Sequence, residues 1–319
     1  MSGNWGDGAM AGRFLVHDEQ RRVKGPATHA IVIGVGAYPH LLGGKKERTP
    51  HHENLNQLTS PALSARQFAR WLIESFVHPE KPLATVALLL SEAKPAPFVN
   101  PRTGKPTDKV ELADWSSVTL AIYDWLDRGN QSPDNVLLFY FCGHGMAAGD
   151  ETALLLSDYG ANRYSSLDGA IDFRSFRLGM LSNCIAREQC FFVDACRTET
   201  DTVRKAKSPG RPAVQPTTRD PSWPPIRSAP VFYSAMAGEK AYSLPNAPSI
   251  YTKALLDSLQ GFGAEETSAG WRVNTQRLGA SIDHLVMRRA LEIKRVTPPM
   301  AEQSTSIPLN RLAKPPNAM

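Results

Sequence analysis

The apolar positions of the chain fall into two kinds of segment, which predict strands alternating with helices. Short continuous apolar runs, typical of strands covered on both faces, occupy residues 29–35, 85–90, 136–141, 153–156, 190–193 and 230–234. Between them, apolar residues recur every three or four positions in 60–76, 118–129, 173–184, 250–259 and 275–293, which predicts five helices. This alternation predicts an α/β fold with a mostly parallel central sheet and helices on both faces.

One stretch, residues 198–228, shows neither a continuous apolar run nor apolar residues at helical spacing. Prolines accumulate there among basic residues, which is typical of a mobile linker or a long surface loop. The sequence therefore divides into an N-terminal extension (1–28), a first strand–helix region (29–197), the linker (198–228) and a second region (229–319). A length of 319 residues hints at two domains, but single α/β domains often run this long, and we expect one domain.

The composition bounds the class of protein. Hydrophobic residues make up 42% and charged residues 21% of the 319 positions, as in a soluble protein with a full core. No apolar run has the ~18 residues that a membrane span requires, and residues 1–28 lack the apolar segment of a secretory signal. Four cysteines are too few for a disulfide scaffold. We expect a cytoplasmic protein with free thiols and no membrane partner.

The net charge of +5 does not by itself indicate a nucleic-acid partner. The basic residues lie in loop-like stretches and at a helix end, and they do not alternate with aromatic residues as a base-stacking surface would. The sequence therefore predicts no nucleic-acid binding.

Candidate chemistry lies where two predicted strands end. Phe141-Cys142-Gly143-His144-Gly145 follows one strand, and Val193-Asp194-Ala195-Cys196-Arg197 follows the next long one. If these strands are neighbours, His144 and Cys196 emerge at the same edge of the sheet. An imidazole that takes the thiol proton makes cysteine a nucleophile. Backbone amides near Gly145 and Cys196 would then form the oxyanion hole.

Other interpretations of these residues are weaker. A cysteine after a strand is most often a small buried hydrophobe, but its pairing with His144 disfavours that interpretation. Zinc is disfavoured because no two cysteines stand in a C-x2–4-C pair; the ligand types available are Cys142, His144, Cys184, Cys190 and Cys196. A dinucleotide site after the first strand is rejected because Pro39 stands where the third glycine belongs.

The two strand-end motifs resemble the histidine and cysteine blocks of the caspase-like (clan CD) cysteine peptidases. Cys196 lies 52 residues after His144, and in caspases this separation is about 50 residues. The resemblance extends over nearly all of residues 29–310, and Asp-Ala-Cys is closer to prokaryotic caspase homologues and metacaspases than to animal caspases. It implies a caspase-like fold in which 29–197 corresponds to the large subunit and 229–319 to the small subunit.

The resemblance also implies a substrate class. An acid two residues before the nucleophile suits an Arg or Lys side chain, so Asp194 is the candidate pocket acid; alternatively it braces the turn after the strand. Cys142 and Ser234 are the further candidates for substrate binding. A second acid that metacaspases carry in the first helix is replaced here by Ser64. Metacaspases often require calcium, but Asp158, Asp168 and Asp172 are scattered, so the sequence predicts no metal or other cofactor.

In caspase-like enzymes, cleavage between the subunits often activates a zymogen. The linker offers basic positions for self-cleavage or for an upstream protease, namely Arg204, Lys205, Lys207, Arg211, Arg219 and Arg227. The alternative is that the linker is merely a solvated loop. The insertion 43–57 is interpreted as a surface loop near the mouth of the site, and no role is assigned to His51 or His52.

Three functions follow as hypotheses. The first is an endopeptidase that acts on protein substrates, after activation by an upstream protease or sensor, in a prokaryotic stress or anti-phage defence pathway. The second is a catalytically silent scaffold or regulatory module with the same fold. The third is another cysteine hydrolase that acts on small amides.

Overall fold

The structure is a computed structural model that describes residues 12–107, 109–149, 151–165, 167–206, 208–226, 228–236, 238, 246–268, 270–292, 299–302 and 306–316. Its helices are α1 Ser60–Ser75, α2 Trp115–Gly129, α3 Phe173–Asn183, α4 Asp201–Lys205, α5 Ile250–Asp257 and α6 Thr275–Glu292. Its strands are β1 Leu15–Asp18, β2 Thr28–Val35, β3 Leu83–Ser91, β4 Glu111–Leu112, β5 Val136–Gly143, β6 Gly145–Ala148, β7 Glu151–Leu155, β8 Ala170–Asp172, β9 Glu188–Ala195, β10 Thr198–Glu199, β11 Val231–Tyr233, β12 Ala264–Thr267, β13 Gly270–Asn274, β14 Met300–Glu302 and β15 Pro308–Arg311.

A central sheet runs through the described residues in the order β1-β3-β2-β5-β9-β11-β14, with β4 paired to β3. The five inner strands, β3 to β11 in that order, are parallel, and β1 and β14 are antiparallel edges. β2, β3, β5 and β9 are buried at every position, as their continuous apolar runs predict. The parallel strands therefore bring their carboxyl ends to one edge of the sheet.

Helices cover both faces of the sheet. On one face, α2 and α3 pack Trp125 and Phe176 against the aromatic residues of β5 and β9, including Phe139 and Phe191. On the other face, Phe68 of α1 stacks on Tyr140, and α5 and α6 complete the layer. The predicted α/β class, with a mostly parallel sheet between helices, is confirmed.

Two smaller sheets were not predicted. One has the order β10-β6-β7-β8 and the other β12-β13-β15. β1, which adds an edge to the central sheet, lies inside the segment 1–28 that was expected to be an extension. β7 corresponds to the apolar run predicted at 153–156. The other strands named here have only two to five residues, too few for a period of two to be distinguished from a loop.

Residues 198–228, predicted to be a mobile linker or a long surface loop, contain two short elements and pack partly on the core. The segment contains β10 and α4, and Val203, Ala213 and Val214 are buried in the core on the α3 face. Gly179 of α3 permits this packing, because a Cβ there would lie 2.0 Å from the Val214 carbonyl oxygen. Isolated apolar residues dock on a neighbouring helix here without forming a periodic pattern, and such docking leaves no periodic signal.

None of the helices in the described ranges is both long enough and apolar enough to cross a membrane.

Candidate active site

The two predicted catalytic residues follow neighbouring strands in register. β5 and β9 are parallel partners, and Gly143 lies opposite Ala195 as their last pair. His144 and Cys196 each come one residue later. A Cβ on Gly145 would lie 2.4 Å from the Cys196 carbonyl oxygen. The absence of a side chain at Gly145 therefore lets the backbones of the two segments approach closely.

A backbone carbonyl holds the His144 imidazole. Nε2 of the ring lies 2.6 Å from the carbonyl oxygen of Asn56. A carbonyl oxygen can only accept a hydrogen bond, so Nε2 must carry a proton and donate it. In the neutral ring Nδ1 is then the unprotonated nitrogen, and it is the atom that can accept a proton from another group.

Burial keeps this imidazole neutral. Only 7% of His144 is exposed, and desolvation lowers its pKa to about 4 although the hydrogen bond to Asn56 acts in the opposite direction. At neutral pH the ring can therefore accept a proton without first losing one. Cys196 is the only one of the four cysteines that is not fully buried.

The other three cysteines, Cys142, Cys184 and Cys190, are buried in the interior of the protein. Burial raises the pKa of Cys142 and Cys190 and raises that of Cys184 to about 12. Thiols of this kind are inert as nucleophiles. Their positions, within β5, after α3 and within β9, also separate them from one another.

Tyr38 is a residue of the site that sequence reasoning missed. Its hydroxyl accepts a hydrogen bond from the His144 amide at 2.8 Å and donates one to the Leu155 carbonyl at 3.2 Å. Its ring centroid lies 4.9 Å from that of the imidazole. Gly143 permits the contact, since a Cβ there would lie 2.8 Å from the tyrosine oxygen.

The 43–57 loop also reaches the site, because Asn56 lies at its end. Gln57 fixes this end: its side-chain carbonyl accepts from the Tyr38 amide at 2.7 Å, and its NH2 group donates to the carbonyls of Tyr38 at 2.9 Å and Leu42 at 3.0 Å. A contact made by a backbone carbonyl is independent of the side chain, so no motif could have indicated Asn56.

Asp194 lies opposite Cys142 in the β5–β9 register, and only 3% of it is exposed. Its Oδ2 atom accepts hydrogen bonds from Cys142 Sγ at 3.3 Å, from Thr252 Oγ1 at 2.8 Å and from the Ser249 hydroxyl. Burial raises its pKa, and the surrounding hydroxyl groups, Ser234 included, act against that rise. Among the ion pairs of the described residues, none includes Asp194.

The remaining pocket candidates lie around this carboxylate. Ser234 follows β11, and its hydroxyl donates to the Ala195 carbonyl at 3.2 Å. Ser64 of α1 is fully buried, and its hydroxyl accepts the Ser249 amide proton at 2.9 Å. Sequence reasoning missed Ser249 and Thr252, which a serine N-cap before an apolar helix could have indicated.

Comparison with known proteins identifies the family. The profile of the caspase domain peptidases matches residues 27–291. The chain belongs to the caspase domain family. An uncharacterized protein of Sinorhizobium fredii, y4kE, is 26% identical to this caspase-family chain over 264 residues, 77% of the chain and 71% of the relative. A probable protease of a Desulfuromonadales bacterium is 27% identical over 182 residues, which are 52% of the chain and 21% of that larger protein.

The solved structures that match this chain include a Geobacter sulfurreducens protein and caspase-1 of Spodoptera frugiperda. Each has 12% identity to this caspase-family chain and a TM-score of 0.47. The matches cover 91% of the chain and 96% of the Geobacter protein, and 87% of the chain and 86% of the caspase.

The linker of this caspase-family chain holds its basic residues in two different ways. Arg204 and Lys205 are 66% and 73% exposed at the end of α4, where both pair with Asp201. The backbone of Arg211 pairs with β8, and its guanidinium lies 4.1 Å from the centre of the Trp115 ring. The guanidinium of Arg219 donates to the carbonyls of Leu181, Cys184 and Pro224 at 2.5–2.9 Å. The candidates Lys207 and Arg227 lie outside the described residues.

The three aspartates considered for calcium serve local structure. Asp158 accepts from the Trp115 amide at 3.1 Å, Asp172 caps α3 by accepting from the Ser175 amide at 2.9 Å, and Asp168 accepts from Ser165 and Asn162. In the part of the chain that the structure describes, no three His, Cys, Asp or Glu side chains form a group that could hold a metal ion.

Proposed function

We propose that this protein is a cysteine endopeptidase in which Cys196 is the nucleophile and His144 the general base and acid. The observation that carries this proposal is the fixed imidazole: Nε2 is held by the Asn56 carbonyl, which leaves Nδ1 as the proton acceptor. Cys196, the one partly exposed thiol, follows the neighbouring strand at the matching position. The caspase domain family supports the class of reaction.

The reaction proceeds through an acyl-enzyme. His144 Nδ1 takes the proton of the Cys196 thiol as sulfur attacks the peptide carbonyl carbon and its oxygen becomes an anion. Collapse of this intermediate breaks the C–N bond, the imidazolium gives its proton to the leaving amine, and a thioester remains. His144 then takes a proton from water, which attacks the thioester. The acid product leaves, and the thiolate recovers the proton. Amides near Gly145 and Cys196 stabilise the oxyanion.

We assign the preference for Arg or Lys substrates to Asp194. A buried carboxylate that has hydroxyl partners but no cation remains electrostatically uncompensated. A guanidinium or ammonium group that reached Oδ2, in place of the Ser249 hydroxyl, would supply the missing charge. Cys142 and Ser234 complete the base of this pocket.

We further propose that cleavage after Arg204 or Lys205 activates the enzyme. Both side chains are exposed on a five-residue helix, whereas Arg211, although exposed, has its backbone paired with β8. So short a helix unfolds readily into the extended form that a peptidase binds. The partners would be protein substrates and an upstream protease or sensor, in a stress or anti-phage pathway of the cytoplasm.

The test compares wild type with Cys196→Ala and His144→Ala on an unbiased peptide library, with Cys190→Ala as a control that removes a buried thiol. Both dyad variants should lose cleavage while the control keeps it. Thermal melting verifies that each variant is folded. A folded wild type that leaves the library uncut, both intact and after a nick in α4, would instead identify a scaffold.

A further inference from the structure

The loop that ends at Asn56 is tied to the segment that follows Cys196. The carboxylate of Glu53 accepts hydrogen bonds from the Thr202 amide at 3.2 Å and from the Thr202 hydroxyl. Thr202 lies in the first turn of α4, whose amides have no partner within the helix. A carboxylate is favoured there because it accepts a hydrogen bond from an amide that has no acceptor within the helix.

The backbone beside Glu53 is strained. Glu53 and Asn54 have φ values of 45° and 57°, a left-handed conformation that costs non-glycine residues about 1 kcal/mol or more each. The turn is closed by hydrogen bonds from the Leu55 amide to the His52 carbonyl at 2.7 Å and from the Asn54 amide to His52 Nδ1 at 3.0 Å. Such a turn persists only where surrounding contacts fix it.

This strained turn sets the position of the Asn56 carbonyl, three residues after Glu53. At the other end of the contact, Thr202 follows β10, and β10 pairs with β6 immediately after the His144–Gly145 segment. Glu53 therefore joins the loop that orients the base to the chain that follows the nucleophile.

We propose that Glu53 is a positioning residue, which holds the Asn56 carbonyl against His144 Nε2 by anchoring the 43–57 loop to Thr202 of α4. This inference rests on the proposed peptidase function for its catalytic consequence, but the structural link from Glu53 to the imidazole stands independently of it. The same link couples the base to α4, the helix that carries Arg204 and Lys205.

The test uses the full chain with Glu53→Ala, the conservative variant Glu53→Gln, and Glu47→Ala. Gln retains an oxygen that accepts both hydrogen bonds. Glu47 is an exposed acid of the same loop, so its removal controls for the loss of charge. Two readouts are taken: kcat and KM on an Arg peptide, and the Nε2–H resonance of His144 in 15N-histidine-labelled protein, assigned with His144→Ala.

In Glu53→Ala the expected result is a kcat lower by about tenfold or more, since small misplacements of catalytic groups have effects of that size. KM should stay within about twofold, because Glu53 lies outside the proposed pocket. The Nε2–H resonance should broaden or vanish through exchange with water. The control variants Glu53→Gln and Glu47→Ala should match wild type in kcat, in KM and in the Nε2–H resonance.

An unchanged Nε2–H resonance in Glu53→Ala would overturn the proposal. If wild type itself shows no peptidase activity while Glu53→Ala alone loses the resonance, the positioning role stands and the proposed function fails. Thr202→Val, which keeps the amide but removes the hydroxyl, should produce a smaller change in the same direction. An equal loss in Glu47→Ala would also refute the role of Glu53, since it would trace the effect to charge.

Discussion

The Tyr38 hydroxyl joins the main chain of His144 to that of Leu155. It accepts the His144 amide proton and donates to the Leu155 carbonyl, so it fixes the backbone of the histidine. The Asn56 carbonyl fixes the same residue from its side chain. His144 is thus held at both ends by groups that come from the 38–57 part of the chain. An imidazole restrained in this way retains one tautomer and one orientation.

Replacing Tyr38 by Phe should lower kcat more than KM. The substitution leaves the His144 amide without a partner in a buried position, which costs about 1–3 kcal/mol. The imidazole would then shift relative to Cys196, and we expect a fall in kcat of about tenfold to a hundredfold. Steady-state kinetics and thermal melting measure the two effects.

The control for Tyr38→Phe is Tyr251→Phe. Tyr251 is also buried, and its hydroxyl donates to a backbone carbonyl, that of Phe232, at 2.8 Å. It should reduce stability by a similar amount and leave kcat near the wild-type value. Equal kcat in the two variants would contradict a role for Tyr38 in positioning His144.

Gly145→Ala should abolish activity and weaken the fold. A Cβ at this position would lie 2.4 Å from the Cys196 carbonyl oxygen and 3.0 Å from Ala195 Cβ. The β6 and Cys196 segments must then separate, at a cost of about 1–3 kcal/mol. Gly12→Ala is the matched control, because no atom lies within 4 Å of a Cβ there. Chemical denaturation and peptide cleavage decide the outcome, and a fully active Gly145→Ala would show that the close approach is dispensable.

The sequence predicts the core of the fold because the central strands and the covering helices are long enough to show a period. β5, for example, was expected at 136–141 and runs from Val136 to Gly143, and α1 was expected at 60–76 and ends at Ser75. The short strands β1, β10 and β14 could not be predicted in this way. Their positions depend on pairing with strands far away in the sequence.

In the site, sequence predicts the residues that follow strands and misses those that reach the site from a loop. The parallel register brings His144 and Cys196 to the same edge, as expected if the two strands that precede them are neighbours. Tyr38, Asn56 and Glu53 act through a hydroxyl, a backbone carbonyl and a carboxylate in irregular structure. No spacing rule relates such residues to the dyad, because loop closure rather than periodicity places them.

The acid limb of the pH–rate profile should lie near pH 4. Burial lowers the pKa of His144 to about 4, below the ordinary histidine value of about 6.5. His144 therefore stays neutral, and kcat/KM is maintained, until the pH falls to about 4. Activity at pH 5, measured while circular dichroism verifies the fold, should exceed half of its plateau. Because burial also raises the pKa of Asp194, the profile is repeated with Asp194→Asn, and a limb near 6.5 that persists in this variant would show that His144 is accessible to water in solution.

The same depressed pKa makes stability decrease on acidification. In the unfolded chain histidine takes up a proton near pH 6.5, whereas His144 and His29, which is also buried, take it up in the folded protein only near pH 4. The unfolded state therefore binds more protons between these values, and the free energy of unfolding falls as pH decreases through that window. Denaturation at pH 7 and pH 5 measures the decrease in the free energy of unfolding. The variant His29→Asn should show a smaller decrease than wild type.

Self-processing should occur in α4 if the linker is a substrate. Intact-mass analysis of wild type should reveal cuts after Arg204 or Lys205, and none after Arg211 or Arg219, whose backbone or guanidinium is held by β8 and α3. Cys196→Ala should remain whole. The double variant Arg204→Gln/Lys205→Gln should also remain whole. After an added protease has cut its linker, it should cleave added peptides. Cuts that persist at Arg211 would show that the packing of this segment opens in solution.

Asp194→Asn should remove the preference for basic substrates without unfolding the protein. The amide retains an oxygen that can accept from Ser249 and Thr252. The substitution also removes the charge of a carboxyl group whose pKa is already raised by burial. The free energy of unfolding should therefore change little or increase, because no desolvated anion has to be maintained. Cleavage after Arg and Lys should fall by about tenfold or more, since a charge-assisted hydrogen bond is replaced by a neutral one. Alkylation of Cys196 by iodoacetamide should continue at the wild-type rate, because the dyad is intact. An unchanged cleavage profile would leave Asp194 only the role of bracing the turn after β9, through its hydrogen bonds to Ser249 and Thr252 at the start of α5.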